Sequence, residues 1–181
     1  MLALAVIPVI SAFISVYQAQ FAYDGFHWGL LIFNAKQFLK GEILYQDIFV
    51  HYGFLTTILN SIILKISNDN ILNVFLFYSL CYSAGLFVIG LISYKINNNF
   101  LIALLTIFIF FLLHPFTVYP WHSYIIFFLL TIYIYLKFFK NIKYENSILL
   151  ICTCLNESFI YAAIFIIIFD ILYEPIFKKT K

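Results

Sequence analysis

Gly53-Phe54-Leu55-Thr56-Thr57-Ile58-Leu59-Asn60-Ser61-Ile62-Ile63-Leu64-Lys65-Ile66 is apolar enough to enter a membrane but short for crossing one. A helix needs about 20 residues to traverse the hydrocarbon core. Whether this stretch crosses dictates the side on which every later loop emerges. If it crosses and 147–173 is one helix, with the N-terminus inside, Lys65, Lys178, Lys179 and Lys181 fall inside, and Lys36, Lys40, Lys95, Lys137, Lys140 and Lys143 fall outside. That is the wrong bias, because Lys-rich loops stay on the cytoplasmic side. If it lies along the membrane face instead, residues 18–70 form one outer loop. Lys95, Lys137, Lys140, Lys143, Lys178, Lys179 and Lys181 are then inside, and only Lys36, Lys40 and Lys65 are outside. The second layout satisfies the rule.

Composition supports the membrane setting. Mean hydropathy is +1.02, with 65% of residues hydrophobic and 10% charged. So little polar surface does not suit a water-soluble globule. Continuous apolar runs point to helices, because lipid offers no partner to an open backbone group. A β-barrel would show alternation instead. The chain has no arginine and no basic patch, which argues against nucleic acid. Cys81, Cys152 and Cys154 sit inside apolar runs without C-x-x-C spacing and read as small hydrophobes.

The expected fold is all-α: a polytopic transmembrane protein with membrane-parallel helices in its first outer loop. Spans are expected at about 2–17, 71–94, 100–113, 121–139 and 147–173, the last broken at Asn156-Glu157-Ser158. Residues Phe26–Leu39 and Phe54–Ile66 form the surface helices of the loop. Met1 to Tyr17 lacks a basic start and a cleavage site, and reads as a retained first span. This layout puts three polar regions on the outer side: residues 18–70, the segment from His114 to His122, and the Asn156–Ser158 break. Their convergence would form a pocket at the bilayer surface.

Seven polar positions in these regions, with one tryptophan, could carry chemistry. Asp24 is a carboxylate at the water–lipid boundary, suited to act as a general base or as an oxygen ligand to a divalent cation. It could equally cap the helix that follows. His27, one turn on, could bind phosphate or serve as an interfacial belt residue. Asp47 and His51 would share a face if their segment were helical. Pro115 and Pro120 keep the intervening loop out of regular helix. That makes His114, Trp121 and His122 candidate substrate contacts. Glu157 is an acid in the middle of an apolar run, which is a functional position by default. Asp170 and Glu174 read as interfacial partners of Lys178 and Lys179.

The run Tyr23-Asp24-Gly25-Phe26-His27-Trp28-Gly29 is followed by Ala35, Leu39-x-Gly41, Tyr45-x-Asp47-x-Phe49 and Tyr52-Gly53-x-Leu55-Thr56-Thr57. Together they resemble the first outer loop of GT-C fold glycosyltransferases, including bacterial relatives of the protein O-mannosyltransferases and of the lipid A aminoarabinose transferase. His114-Pro115 and Pro120-Trp121-His122-Ser123-Tyr124 are similar to the second outer loop of bacterial members, although no acid is present here where many relatives carry one. The resemblance covers roughly residues 1–175. It implies an N-terminal portion of a longer enzyme in the cytoplasmic membrane, with a C-terminal half as a partner. The implied reaction is hexosyl or pentosyl transfer from a polyprenyl-phosphate donor to an acceptor glycan, lipid or protein at the outer or periplasmic face. Asp24 matches the family's first-loop acidic residue, which is the catalytic base or helps hold a divalent metal (Mg or Mn). His27, Asp47, His114, Trp121, His122 and Glu157 would line the substrate site. The alternative is a non-enzymatic membrane subunit or a carrier of lipid-linked sugars, in which the same groups bind or gate.

Overall fold

The computed structural model describes residues 2–21, 27–113, 121–140 and 146–178, with burial described for residues 3–172. Every regular element among the described residues is helical. A 3-10 turn, Leu2–Ala5, leads into α1, Val6–Ala19. The others are α2, His27–Leu39; α3, Phe54–Ile66; α4, Ile71–Asn97; α5, Phe100–Leu113; α6, His122–Phe139; α7, Asn146–Leu155; and α8, Phe159–Lys178. By length and composition, α4 and α6 are long and apolar enough to cross a membrane.

Helix α4 is the central post, with α1, α5 and α6 packed around it and α3 touching its start. Asn70 opens it by accepting a hydrogen bond from the Leu72 N–H at 3.0 Å. Asn98 closes it in the left-handed region, at φ 49°. Helix α1 packs on α4 and buries a stripe of small residues, Ser11, Ala12, Ser15 and Ala19, which lets two backbones approach closely. Gly85 and Gly90 provide hollows on α4: a Cβ at these positions would lie 2.5 Å from the Phe127 ring of α6 and 2.4 Å from Ile107 of α5. Leu4, Val74, Tyr78, Leu86, Ile107 and Tyr124 form the core around this post.

Helices α2 and α3 pack on each other, and α3 carries the pair onto α4 and α7. Helix α2 stops at a Schellman cap. Gly41 has φ +96°, its N–H reaches Phe38 O at 3.0 Å, and Glu42 N–H reaches Gln37 O at 3.2 Å. Glycine suits this position because a Cβ disfavours that conformation. Helix α3 turns Thr56, Thr57, Asn60 and Ser61 inward and leaves Ile62 and Ile66 exposed. The Tyr78 hydroxyl donates to Asn60 Oδ1 at 2.9 Å between two fully buried side chains.

The break at Asn156 is built from its own sequence. Asn156 N–H ends α7 on Cys152 O at 3.0 Å, and its carbonyl accepts from Phe159 N–H at 2.9 Å to begin α8. Its side-chain oxygen accepts from Ser158 N–H at 3.1 Å. Asp170 was expected near Lys178 and Lys179, but it pairs with Lys137 and accepts from the Tyr133 hydroxyl, tying α8 to α6. One helical turn separates Tyr133 from Lys137, so both can reach a single carboxylate. The side chain of Glu174 lies outside the described residues. The outward faces of α1, α5 and α8 are apolar, with Phe13 76% exposed, Leu113 76% and Phe165 69%. Cys81, Cys152 and Cys154 are free.

Candidate functional site

One end of the bundle collects polar and aromatic side chains from four separate parts of the chain. The loop between α2 and α3 supplies Tyr45, His51 and Tyr52. The start of α6 supplies Trp121 and His122, and the α7–α8 break supplies Asn156 and Glu157. His27 comes from the first turn of α2.

Backbone bonds dock these parts together. Gly53 N–H donates to Leu155 O at 3.0 Å, and the Thr56 hydroxyl donates to the same oxygen at 2.8 Å. The C-terminal carbonyl of α7, left open by the helix itself, is thus capped by the start of α3. Asn34 Nδ2 donates to Phe49 O at 2.8 Å and ties the loop back onto α2.

The contacts across the site are specific. The Tyr45 hydroxyl donates to Glu157 Oε1. His122 Nε2 lies 2.8 Å from Asn156 Nδ2, and its ring centroid is 4.5 Å from that of Tyr52. Tyr52 in turn meets His51 at 4.6 Å, edge to face. His27 meets Trp121 at 5.5 Å, also edge to face. His122 is only 7% exposed. Tyr45 has φ 66°, a costly conformation for a bulky residue, and it swings the phenol toward Glu157. The phenol is pushed up to about 12, by burial first and then by the Glu157 hydrogen bond and charge. It therefore stays a neutral donor across the physiological range.

Of the residues that the sequence put forward, the structure brings His27, Trp121, His122 and Glu157 to this end. Asp24 and His114 lie outside the described residues. Asp47 is exposed and accepts from Ile43 N–H at 2.9 Å within its own turn. That segment is not helical, so Asp47 and His51 do not share a helix face. Tyr45, Tyr52 and Asn156 joined the site without having been singled out for chemistry. For Tyr45 the cues were its place in a polar loop and in the Tyr45-x-Asp47-x-Phe49 run. A divalent cation would need a converging set of oxygen or nitrogen donors. No group of three or more His, Cys, Asp and Glu side chains converges among the described residues, and the Glu157 carboxylate is already engaged by Tyr45. The described residues therefore do not assemble a donor set, and no step below runs through a metal. No protein-family model matches the chain, and no curated protein or solved structure matches it either.

Proposed function

We propose that this chain is the donor-side part of a membrane glycosyltransferase. It would move a sugar from a polyprenyl phosphate to an acceptor hydroxyl at the outer face of the cytoplasmic membrane. The observation that carries this reading is the meeting of three polar segments at one end of an otherwise apolar bundle, through Tyr45 with Glu157, Tyr52 and Asn156 with His122, and His27 with Trp121. An enzyme working on a lipid-linked sugar needs its polar groups gathered at one face. A carrier needs them strung along a path through the bilayer.

The membrane arrangement belongs to the same proposal. Helices α1, α4, α5, α6 and the broken α7–α8 pair are embedded, and α2 and α3 lie along the outer face. The exposed apolar side chains of α1, α5 and α8 support it, since soluble monomers rarely leave such large patches bare. The lysines support it as well. Lys95 of α4 sits 4.9 Å from the Tyr135 ring and 5.1 Å from the Phe139 ring of α6, which brings the lysine-bearing ends of these helices together.

In the reaction, Asp24 removes the proton of the acceptor hydroxyl. The freed oxygen attacks the anomeric carbon as the bond from that carbon to the phosphate oxygen breaks. The polyprenyl phosphate then leaves with the electron pair. The Tyr45 oxygen, its one hydrogen held by Glu157, can accept from a sugar hydroxyl, and His122 faces the departing phosphate.

The test is release of polyprenyl phosphate from a polyprenyl-phosphate hexose by the chain in proteoliposomes. Asp24→Asn is expected to slow release roughly 100-fold or more, the usual contribution of a general base. Unchanged release in that variant would overturn the assignment. Sidedness is checked separately with single cysteines replacing Gln46 or Glu157, in a background without Cys81, Cys152 and Cys154. Both are expected to react with an impermeant thiol reagent added outside. Protection of either one would place the two regions on opposite sides.

A further inference from the structure

The hydrogen bonds at the α7–α8 break dictate where the proton sits on His122. Asn156 Oδ1 accepts from Ser158 N–H at 3.1 Å. That contact fixes which way the amide faces, because a backbone N–H cannot point at an amide NH2. Asn156 Nδ2 is therefore the atom 2.8 Å from His122 Nε2, and it arrives as a donor. Nε2 must then present its lone pair. A proton on Nε2 would set two donors against each other, so the ring is neutral and carries its one hydrogen on Nδ1. That Nδ1 is buried and has no hydrogen-bond partner, on a residue only 7% exposed.

A buried N–H without an acceptor is costly and unusual in a folded protein. This one stands at the first residue of α6, an 18-residue helix. The open N–H groups and the dipole at such a helix start favour negative charge. Two independent features thus ask for the same missing group: an anionic oxygen. Tyr52 lies against the imidazole at 4.5 Å and is only half-buried.

We infer that His122, locked by Asn156 as the Nδ1–H tautomer, donates that hydrogen to a phosphate oxygen bound at the start of α6. The inference rests on the glycosyl-transfer reading only for the choice of a lipid as the source of the phosphate. Asn156 acts through His122 and is a positioning residue.

The chain carries four histidines, so selective 15N-histidine labelling in nanodiscs resolves the ring directly, with the His122→Asn variant assigning its signals. The expected result is a protonated Nδ1 and a bare Nε2. Citronellyl phosphate, a short polyprenyl phosphate, shifts the Nδ1 signal, and citronellol at the same concentration does not. An equal shift with inorganic phosphate keeps the oxyanion site and identifies free phosphate as the source. Asn156→Asp, whose carboxylate must accept, is expected to move a proton onto Nε2. In binding of citronellyl phosphate, His122→Asn keeps an N–H near the place of Nδ1 and is expected to stay within about threefold of the parent. His122→Gln puts its amide at the place of Nε2 and is expected to lose roughly tenfold or more.

A protonated Nε2 in the parent chain overturns the inference, as does an Nδ1 signal that neither phosphate moves. Equal loss in the Asn and Gln variants does the same. Phosphate binding on the expected tautomer without any sugar transfer would leave this site standing and remove the transfer reading. Transfer by a chain with a protonated Nε2 would do the reverse.

Discussion

Gly53→Ala is expected to uncouple the outer loop from the helix break and to destabilise the protein by about 3 kcal/mol, the upper end of the usual cost of overpacking. The added Cβ would sit 2.1 Å from Cys154 O and 2.5 Å from Leu155 C. These are backbone atoms of α7 and have no rotamer through which to withdraw. The conformation of Gly53 itself, φ −94° and ψ 151°, is open to any residue. The glycine is needed for closeness and not for backbone freedom. Moving it away breaks the Gly53 N–H bond to Leu155 O and, one turn later, the Thr56 bond to the same oxygen. Thermal unfolding in detergent should fall by several degrees, and impermeant labelling of a cysteine placed at position 157 should speed up as the break separates from the start of α3. Parent-like values in both measurements would mean that the loop does not depend on this contact.

The second large effect lies at the other end of the site's scaffold. Removing one member of the Lys137–Asp170 pair is expected to cost about 1–3 kcal/mol. A fully buried pair loses about 3–5 kcal/mol when one partner is deleted. Here the Lys137 side chain is 24% exposed and that of Asp170 21%, so water or headgroups recover part of that. Asp170→Ala leaves an ammonium that keeps, among the described residues, the Tyr133 ring and hydroxyl. Lys137→Ala leaves a carboxylate that keeps the Tyr133 donor. Replacing both, as Lys137→Met with Asp170→Leu, should recover most of the loss, because apolar pairs of similar volume commonly match an ion pair. Measured by thermal unfolding, either single variant should fall well below the double. Additive losses across the cycle would show that the two charges do not depend on each other.

Both effects show what could be read from residues alone and what could not. The helices were legible because each is a long apolar run closed by residues that act locally. Asn70 caps α4, Gly41 ends α2, and Asn156 with Ser158 breaks the last run through hydrogen bonds spanning at most five positions. Helix α3 begins and ends where its apolar run does, at Phe54 and Ile66. His27, Trp121, His122 and Glu157 stood out because a polar group beside hydrocarbon is costly wherever it sits.

Partnership was a different matter. Asp170 has lysines close by in the chain, yet the packing of α6 beside α8 gives it to Lys137. Tyr45 looked like one more interfacial aromatic until the docking of α3 on α7 brought it to Glu157, 112 positions away. Asp47 looked available for chemistry until its loop folded it onto its own backbone. By itself the sequence determined an all-helical chain, the places where its helices start and stop, and the polar groups that cannot rest in hydrocarbon, since those outcomes depend on neighbours within a turn or two. Only the tertiary structure decided which of those groups meet. That choice rests on close backbone approaches such as Gly53 on α7, and it depends on contacts between residues that are remote in the chain.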